Sequence, residues 1–174
     1  MGSNVELKAR VRDPDAVRAL AEGISDTAAQ VIRQEDTFFH VPSGRLKLRR
    51  LAPDRGELIY YERPDAAGPS RSDYVIHATA APETLKEALA RALGVRGVVR
   101  KTRRLYMAGQ TRIHLDEVEG LGSFLELEVV LRDGQTTEEG RAVAAGLMDA
   151  LGVTGADLVG EAYIDLLERC ADGR

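Results

Sequence analysis

The feature that most constrains this chain is a strict alternation of charged and aliphatic residues. Residues 4–12 read Asn-Val-Glu-Leu-Lys-Ala-Arg-Val-Arg. Side chains two apart on a strand share a face, so Glu6, Lys8, Arg10 and Arg12 fall on one side and Val5, Leu7, Ala9 and Val11 on the other. The pattern recurs further along. The charged side reads Arg45, Lys47, Arg49, then Arg63, Lys101, Arg103, Arg112, His114, Asp116, Glu126 and Glu128. The aliphatic side carries Leu46, Leu48, Ile113, Leu115, Leu125 and Leu127. Helical periodicity cannot produce such segregation, so strands are expected.

The intervening stretches fix the architecture. Asp13 before Pro14 supplies a helix start, and Val17, Leu20 and Ala21 share a face that ends near Gly23. Brief alternating runs at roughly 34–41, 45–51, 57–63 and 72–79 are separated by turn residues such as Pro42-Ser43-Gly44 and Pro53-Asp54-Arg55-Gly56. A helix over Pro82 to Leu93 precedes Gly94, and strands follow at about 97–108, 111–118 and 123–131. Thr136 and Glu139 form a capping-box pair for a helix closing at Gly152, and the tail from Ala156 to Glu168 reads as helical at its start. Eight consecutive strands with three or four helices make an α+β chain and disfavour a parallel doubly wound sheet. An antiparallel sheet of this size can close into a barrel. One domain over residues 4–168 is expected, with 1–3 and 169–174 as flexible termini.

A charged face on a single strand is ordinarily a solvated face. Taken together, the strands argue otherwise. Leaving Arg12 at the strand end aside, nine cations and four carboxylates on the charged side give +5, which leaves −9 for the rest of a chain whose net charge is only −4. If the barrel closes with this face inward, the aliphatic face needs cover, and the amphipathic helices supply it. The interior is then a charged tunnel suited to a polyanion held with a divalent cation, because guanidinium and ammonium groups grip phosphate oxygens while carboxylates hold Mg²⁺ or Mn²⁺.

Other classes are disfavoured. Eight aromatic residues without Trp, and a mildly acidic balance, argue against a nucleic-acid partner. No apolar run is long enough for a membrane span, and no signal segment fits the N-terminus. A lone Cys170 suits a cytoplasmic location. No Gly-x-x-x-x-Gly-Lys-Ser/Thr stretch exists for P-loop chemistry.

Glu6-Leu7-Lys8, Gly44-Arg45-Leu46-Lys47-Leu48-Arg49, Lys101 with Arg103, and Phe124-Leu125-Glu126-Leu127-Glu128 resemble the CYTH superfamily, the triphosphate tunnel metalloenzymes. Arg112-Ile113-His114-Leu115-Asp116, Gly120-Leu121-Gly122 and Ala162-Tyr163-Ile164-Asp165-Leu166-Leu167 look most like its class IV adenylate cyclase branch. The resemblance implies a closed eight-stranded antiparallel tunnel, a nucleoside or organic triphosphate substrate, and Mg²⁺ or Mn²⁺. It implies that Glu6, Glu126 and Glu128, assisted by Asp116, hold metal. Lys8, Arg10, Arg45, Lys47, Arg49, Arg63, Lys101, Arg103 and Arg112 would grip the phosphates, with Lys8 also catalytic. Asn4 stands where the family signature has its first Glu, and a neutral amide binds a hard cation more weakly. His114 reads either as a catalytic base or phosphate donor, or as a hydrogen-bond partner of Asp116. The expected reaction is conversion of ATP to cyclic AMP and pyrophosphate; triphosphate hydrolysis and non-catalytic polyphosphate binding are the alternatives. A homodimer is compatible with all three.

Overall fold

The computed structural model describes residues 2–173. Its strands are β1 (Gly2–Arg10), β2 (Gln30–Phe39), β3 (Arg45–Ala52), β4 (Arg55–Glu62), β5 (Ser70–Thr79), β6 (Val95–Ala108), β7 (Thr111–Val118) and β8 (Gly122–Val130). They form one closed barrel in the order β1-β5-β4-β3-β2-β6-β7-β8, with every neighbouring pair antiparallel. The helices are α1 (Pro14–Ile24), α2 (Pro82–Leu93), α3 (Thr137–Ala150) and α4 (Tyr163–Ala171). The expected α+β barrel with helices outside is the observed fold. None of its helices is long and apolar enough to cross a membrane.

Capping explains where the helices begin. The Asp13 side chain accepts from the Ala16 N–H at 3.1 Å, and Pro14 occupies the first turn of α1. At α3 the Glu139 N–H donates to Thr136 Oγ1 at 3.2 Å while the Thr136 N–H donates to Glu139 Oε2 at 2.7 Å, a reciprocal box.

On β1, β7 and β8 the aliphatic face points outward and is covered, whereas Val31 on β2 and Val75 on β5 stay exposed. Val5, Leu7, Ala9, Ile113, Leu125, Leu127 and Val129 are buried in one cluster with Ala21, Ala144 and Leu151. Gly140 permits this contact: a Cβ there would lie 2.7 Å from Leu131 Cδ2 and 2.8 Å from Val5 Cγ2. Helix α3 therefore sits directly on β1.

A second cluster joins Phe38, Val99, Val118 and Phe124 to Ala162, Tyr163, Ile164 and Leu166, so α4 caps one end of the barrel. Here the structure differs from the expected tail. Only a single 3₁₀ turn occupies Gly155–Asp157, and the helix starts at Tyr163. Between them the chain runs along β1, with the Val159 N–H donating to Lys8 O at 2.9 Å and Leu158 bridging Ala9. Regular structure also reaches past the expected domain limits, from Gly2 in β1 to Ala171 in α4.

Candidate active site: a charged tunnel

The inward strand faces enclose a cavity of about 360 Å³. Among the residues lining it are Lys8, Lys47, Arg49, Arg63, Lys101, Arg103 and Arg112, with Glu6, Asp36, Glu57, Glu126 and Glu128. Seven cations against five carboxylates make the surplus smaller than the alternation suggested. His114 and Asn4 complete the polar wall.

Three sequence-derived positions lie elsewhere. Arg10 is exposed, its guanidinium 5.0 Å from the Phe124 ring centroid. Arg45 pairs with Asp65 at 2.7 Å and Asp165 at 2.8 Å, tying β3 to α4. Asp116 is buried at the barrel end closed by α4. It accepts from Arg103 Nε at 2.7 Å, Arg103 Nη2 at 2.6 Å and the Tyr163 hydroxyl at 3.0 Å, with Lys101 Nζ 3.3 Å away. Burial alone would raise its pKa, but Arg103 and Lys101 overcome that and hold it at about 2. A carboxylate so fully engaged orients cations and has little left for a metal.

The cations are held in place by named partners. Asp36, only 2% exposed, accepts from Lys47 Nζ at 2.9 Å and from Arg49 Nε and Nη2 at 2.8 and 2.9 Å. Arg63 Nη1 lies 3.2 Å from Glu6 Oε1, and its Nη2 donates to Gly160 O at 2.9 Å. Lys8 Nζ donates to Glu161 O at 2.8 Å, lies 3.5 Å from Glu126 Oε1 and sits 4.0 Å from the Tyr163 ring centroid. Burial lowers both Lys8 and Lys47 to about 8, against the pull of Glu126 and Asp36 respectively. Burial likewise raises Glu6 to about 7; Arg63 opposes this, while Glu128 and Glu126 reinforce it.

Glu126, Glu128 and His114 form the cluster best suited to a divalent ion, their donor atoms all within 4.8 Å of one another. Burial opposes ionisation of both carboxylates, but Lys101, His114 and Arg103 keep Glu126 well below the usual range, and His114 and Arg103 lower Glu128. The imidazole turns to these acids rather than to Asp116. Its Nδ1 and the Asn4 Oδ1 are both buried without a hydrogen-bond partner among the described residues. A buried imidazole nitrogen without a partner beside two ionised carboxylates suits a divalent ion. The residues fit the group the resemblance implies.

The cavity is polarised along its axis. Tyr163 and Ala162 close the end where β8 starts and β7 finishes. Ile32 near the start of β2, Ile76 near the end of β5 and Leu105 near the end of β6 line the other mouth, since antiparallel order brings those strand ends together.

Asp36, Glu57 and Tyr163 were missed from the sequence as site residues. Asp36 had a signal, because it is two residues from Gln34 on a strand opposite Lys47 and Arg49; the register pairs Asp36 with Arg49 directly. Tyr163 belongs to the tail motif that carries the family resemblance, but its place in the tunnel follows only from α4 folding over the barrel end.

A closed antiparallel barrel with cations and an acid-imidazole cluster inside defines a tunnel built for an anion and a divalent ion. The CYTH domain family model matches residues 2–163, and the chain belongs to that family, whose members are enzymes of adenylate cyclase or triphosphatase type. Adenylate cyclase CyaB of Aeromonas hydrophila is 27% identical over 175 residues, covering 95% of this chain and 88% of that protein. The protein PH1012 from Pyrococcus horikoshii OT3 has a solved structure at TM-score 0.85 and 27% identity, covering 94% of this chain and 98% of its own. A more distant structure, the adenylyl cyclase HpAC1 of Hippeastrum described as having a dominant triphosphatase activity, shares the fold at TM-score 0.64 and 17% identity, covering 98% of this chain and 96% of that one.

Proposed function

We propose that the chain is a divalent-metal-dependent enzyme of the class IV adenylate cyclase type, converting ATP to cyclic AMP and pyrophosphate. The observation that carries the reading is that one cavity is lined both by seven cations and by the Glu126, Glu128 and His114 cluster. Lys47 and Arg49 on β3 and Lys101 and Arg103 on β6 flank β2 along one arc of the tunnel wall, so a chain of phosphates laid along that arc meets four cationic donors. Lys8, Arg63 and Arg112 add positive charge to the same cavity, which would stabilise the charge that develops on departing pyrophosphate. Asp36 and Asp116 hold four of these cations in position before any ligand arrives.

Glu126, Glu128 and His114 would hold the ion, with Glu6 and Asn4 at hand in the same wall. When bound, a divalent cation neutralises charge shared between phosphate oxygens. At the mouth away from α4, Ile32, Ile76 and Leu105 stand beside Glu57 and Arg112, and aliphatic side chains there favour a nucleoside over bare triphosphate, which gains nothing from them. Cyclisation then requires the ribose 3′-oxygen to attack the α-phosphorus of the same molecule.

Incubation with ATP and Mn²⁺ followed by chromatography tests this. Cyclic AMP with pyrophosphate supports the cyclase reading. ADP with phosphate would replace it by hydrolysis, and binding without either product would reduce the chain to a nucleotide binder.

A further inference from the structure

His114 is 4% exposed at its side chain, and its Nδ1 donates to nothing and accepts from nothing among the described residues. The nearest acid oxygens are Glu128 Oε1 at 3.8 Å and Glu126 Oε2 at 3.9 Å, both beyond hydrogen-bond length. All three side chains face one point inside the tunnel, with donor atoms within 4.8 Å of each other.

The oxygen donors nearby are compromised, whereas the nitrogen is not. Arg103 Nη2 donates to Glu126 at 2.5 Å and Arg112 Nη1 to Glu128 at 3.2 Å, so each carboxylate shares its charge with a guanidinium. Glu6 is paired with Arg63, Asp116 is engaged by Arg103, Lys101 and Tyr163, and Asn4 offers only a neutral amide.

We propose that His114 Nδ1 is a ligand of the tunnel's divalent ion and that this nitrogen tilts the site from Mg²⁺ toward Mn²⁺ and the later first-row ions. Mg²⁺ takes oxygen ligands in strict octahedral geometry and dehydrates reluctantly. An imidazole nitrogen suits the later divalent metals better, and their affinities rise along the series from Mn²⁺. Carboxylates whose charge is already shared attract a hard ion less, while a buried imidazole nitrogen without a partner among the described residues is left free to donate. The inference deepens the triphosphate-tunnel reading by naming the ion class, and its test contains no nucleotide.

The experiment is a titration of the full chain with Mn²⁺, followed by loss of the free-ion paramagnetic resonance signal, with Mg²⁺ as competitor. The protein carries ¹⁵N-histidine, and His40 and His77, both exposed, are replaced by Gln to leave His114 as the sole imidazole. The expected result is Mn²⁺ held about tenfold or more tightly than Mg²⁺, with a ¹⁵N hyperfine coupling to bound Mn²⁺. His114→Gln should abolish the coupling and lower Mn²⁺ affinity about tenfold, leaving Mg²⁺ affinity nearly unchanged. Bound Mn²⁺ without nitrogen coupling, no Mn²⁺ binding, or equal losses for both ions would overturn the proposal. If the variant fails to fold, the coupling in the protein that keeps His114 decides alone. Failure of the cyclase reading would look different: the ion binds with nitrogen coupling, but ATP is neither bound nor turned over.

Discussion

Raising the pH from 7 to 9 should strip the tunnel of much of its grip on a triphosphate. Lys8 and Lys47 are both held at about 8 because burial disfavours their charged forms. Each is therefore about nine-tenths protonated at pH 7 and about one-tenth at pH 9. If the ligand binds only the protonated form, each lysine weakens binding about tenfold over this range, or about 1.4 kcal/mol, and the two together about 100-fold. The terminal phosphate ionises near 6 and contributes little above pH 7. The assay is calorimetric titration with a non-hydrolysable ATP analogue at saturating Mg²⁺. Glu6, held at about 7, ionises over the same range and adds to the loss in both proteins, so Lys47→Arg, which removes one titrating lysine, should lose about tenfold less affinity than the parent. A dissociation constant flat from pH 7 to 9, or an undiminished response in Lys47→Arg, would refute the reasoning.

Further variants test other contacts in the fold and the site. Asp36→Ala leaves Lys47 and Arg49 buried without their shared acceptor, and should cost about 3–5 kcal/mol of stability, read as a drop of about 10 °C or more in thermal midpoint. Gly140→Val drives a side chain into Leu131 and Val5 and should cost about 1–3 kcal/mol. Gly146→Ala, in the same helix with nothing within 4 Å of the new Cβ, should gain about 0.5–1 kcal/mol; denaturant melts compare the two. Glu126→Gln should abolish metal-dependent turnover in the ATP assay while the protein stays folded by circular dichroism. Arg45→Ala should loosen α4, because its partners are Asp65 and Asp165, and should raise hydrogen exchange there without a large loss of triphosphate affinity.

Much of this architecture is legible in the sequence because charge and aliphatic character separate cleanly by parity. In β1, β7 and β8 that separation identifies both the inner wall and the face covered by α1 and α3. Parity sets the face, but it says nothing of height along the barrel axis, which depends on strand stagger. Arg10, Arg45 and Asp116 have the expected parity and still fall outside the cavity lining, toward the end closed by α4. Strand β2 is harder to read. Its lining residues Ile32, Gln34, Asp36 and Phe38 mix apolar and polar character on one face, so the acid that organises Lys47 and Arg49 carries no contrast with its neighbours. The tail fails for another reason. Leu158 and Val159 are held by the β1 backbone, a long-range contact that local helix propensity does not register.

The central claim is that the inward cations and the acid-imidazole cluster bind one ligand together. A crystal structure with a non-hydrolysable ATP analogue and Mn²⁺ tests it most directly. The account predicts phosphate oxygens between Lys47, Arg49, Lys101 and Arg103, the ion on Glu126, Glu128 and His114, and the nucleoside toward Ile32, Ile76 and Leu105. A saturated crystal with the nucleotide on the outer surface, or with the ion away from those three side chains, would contradict it.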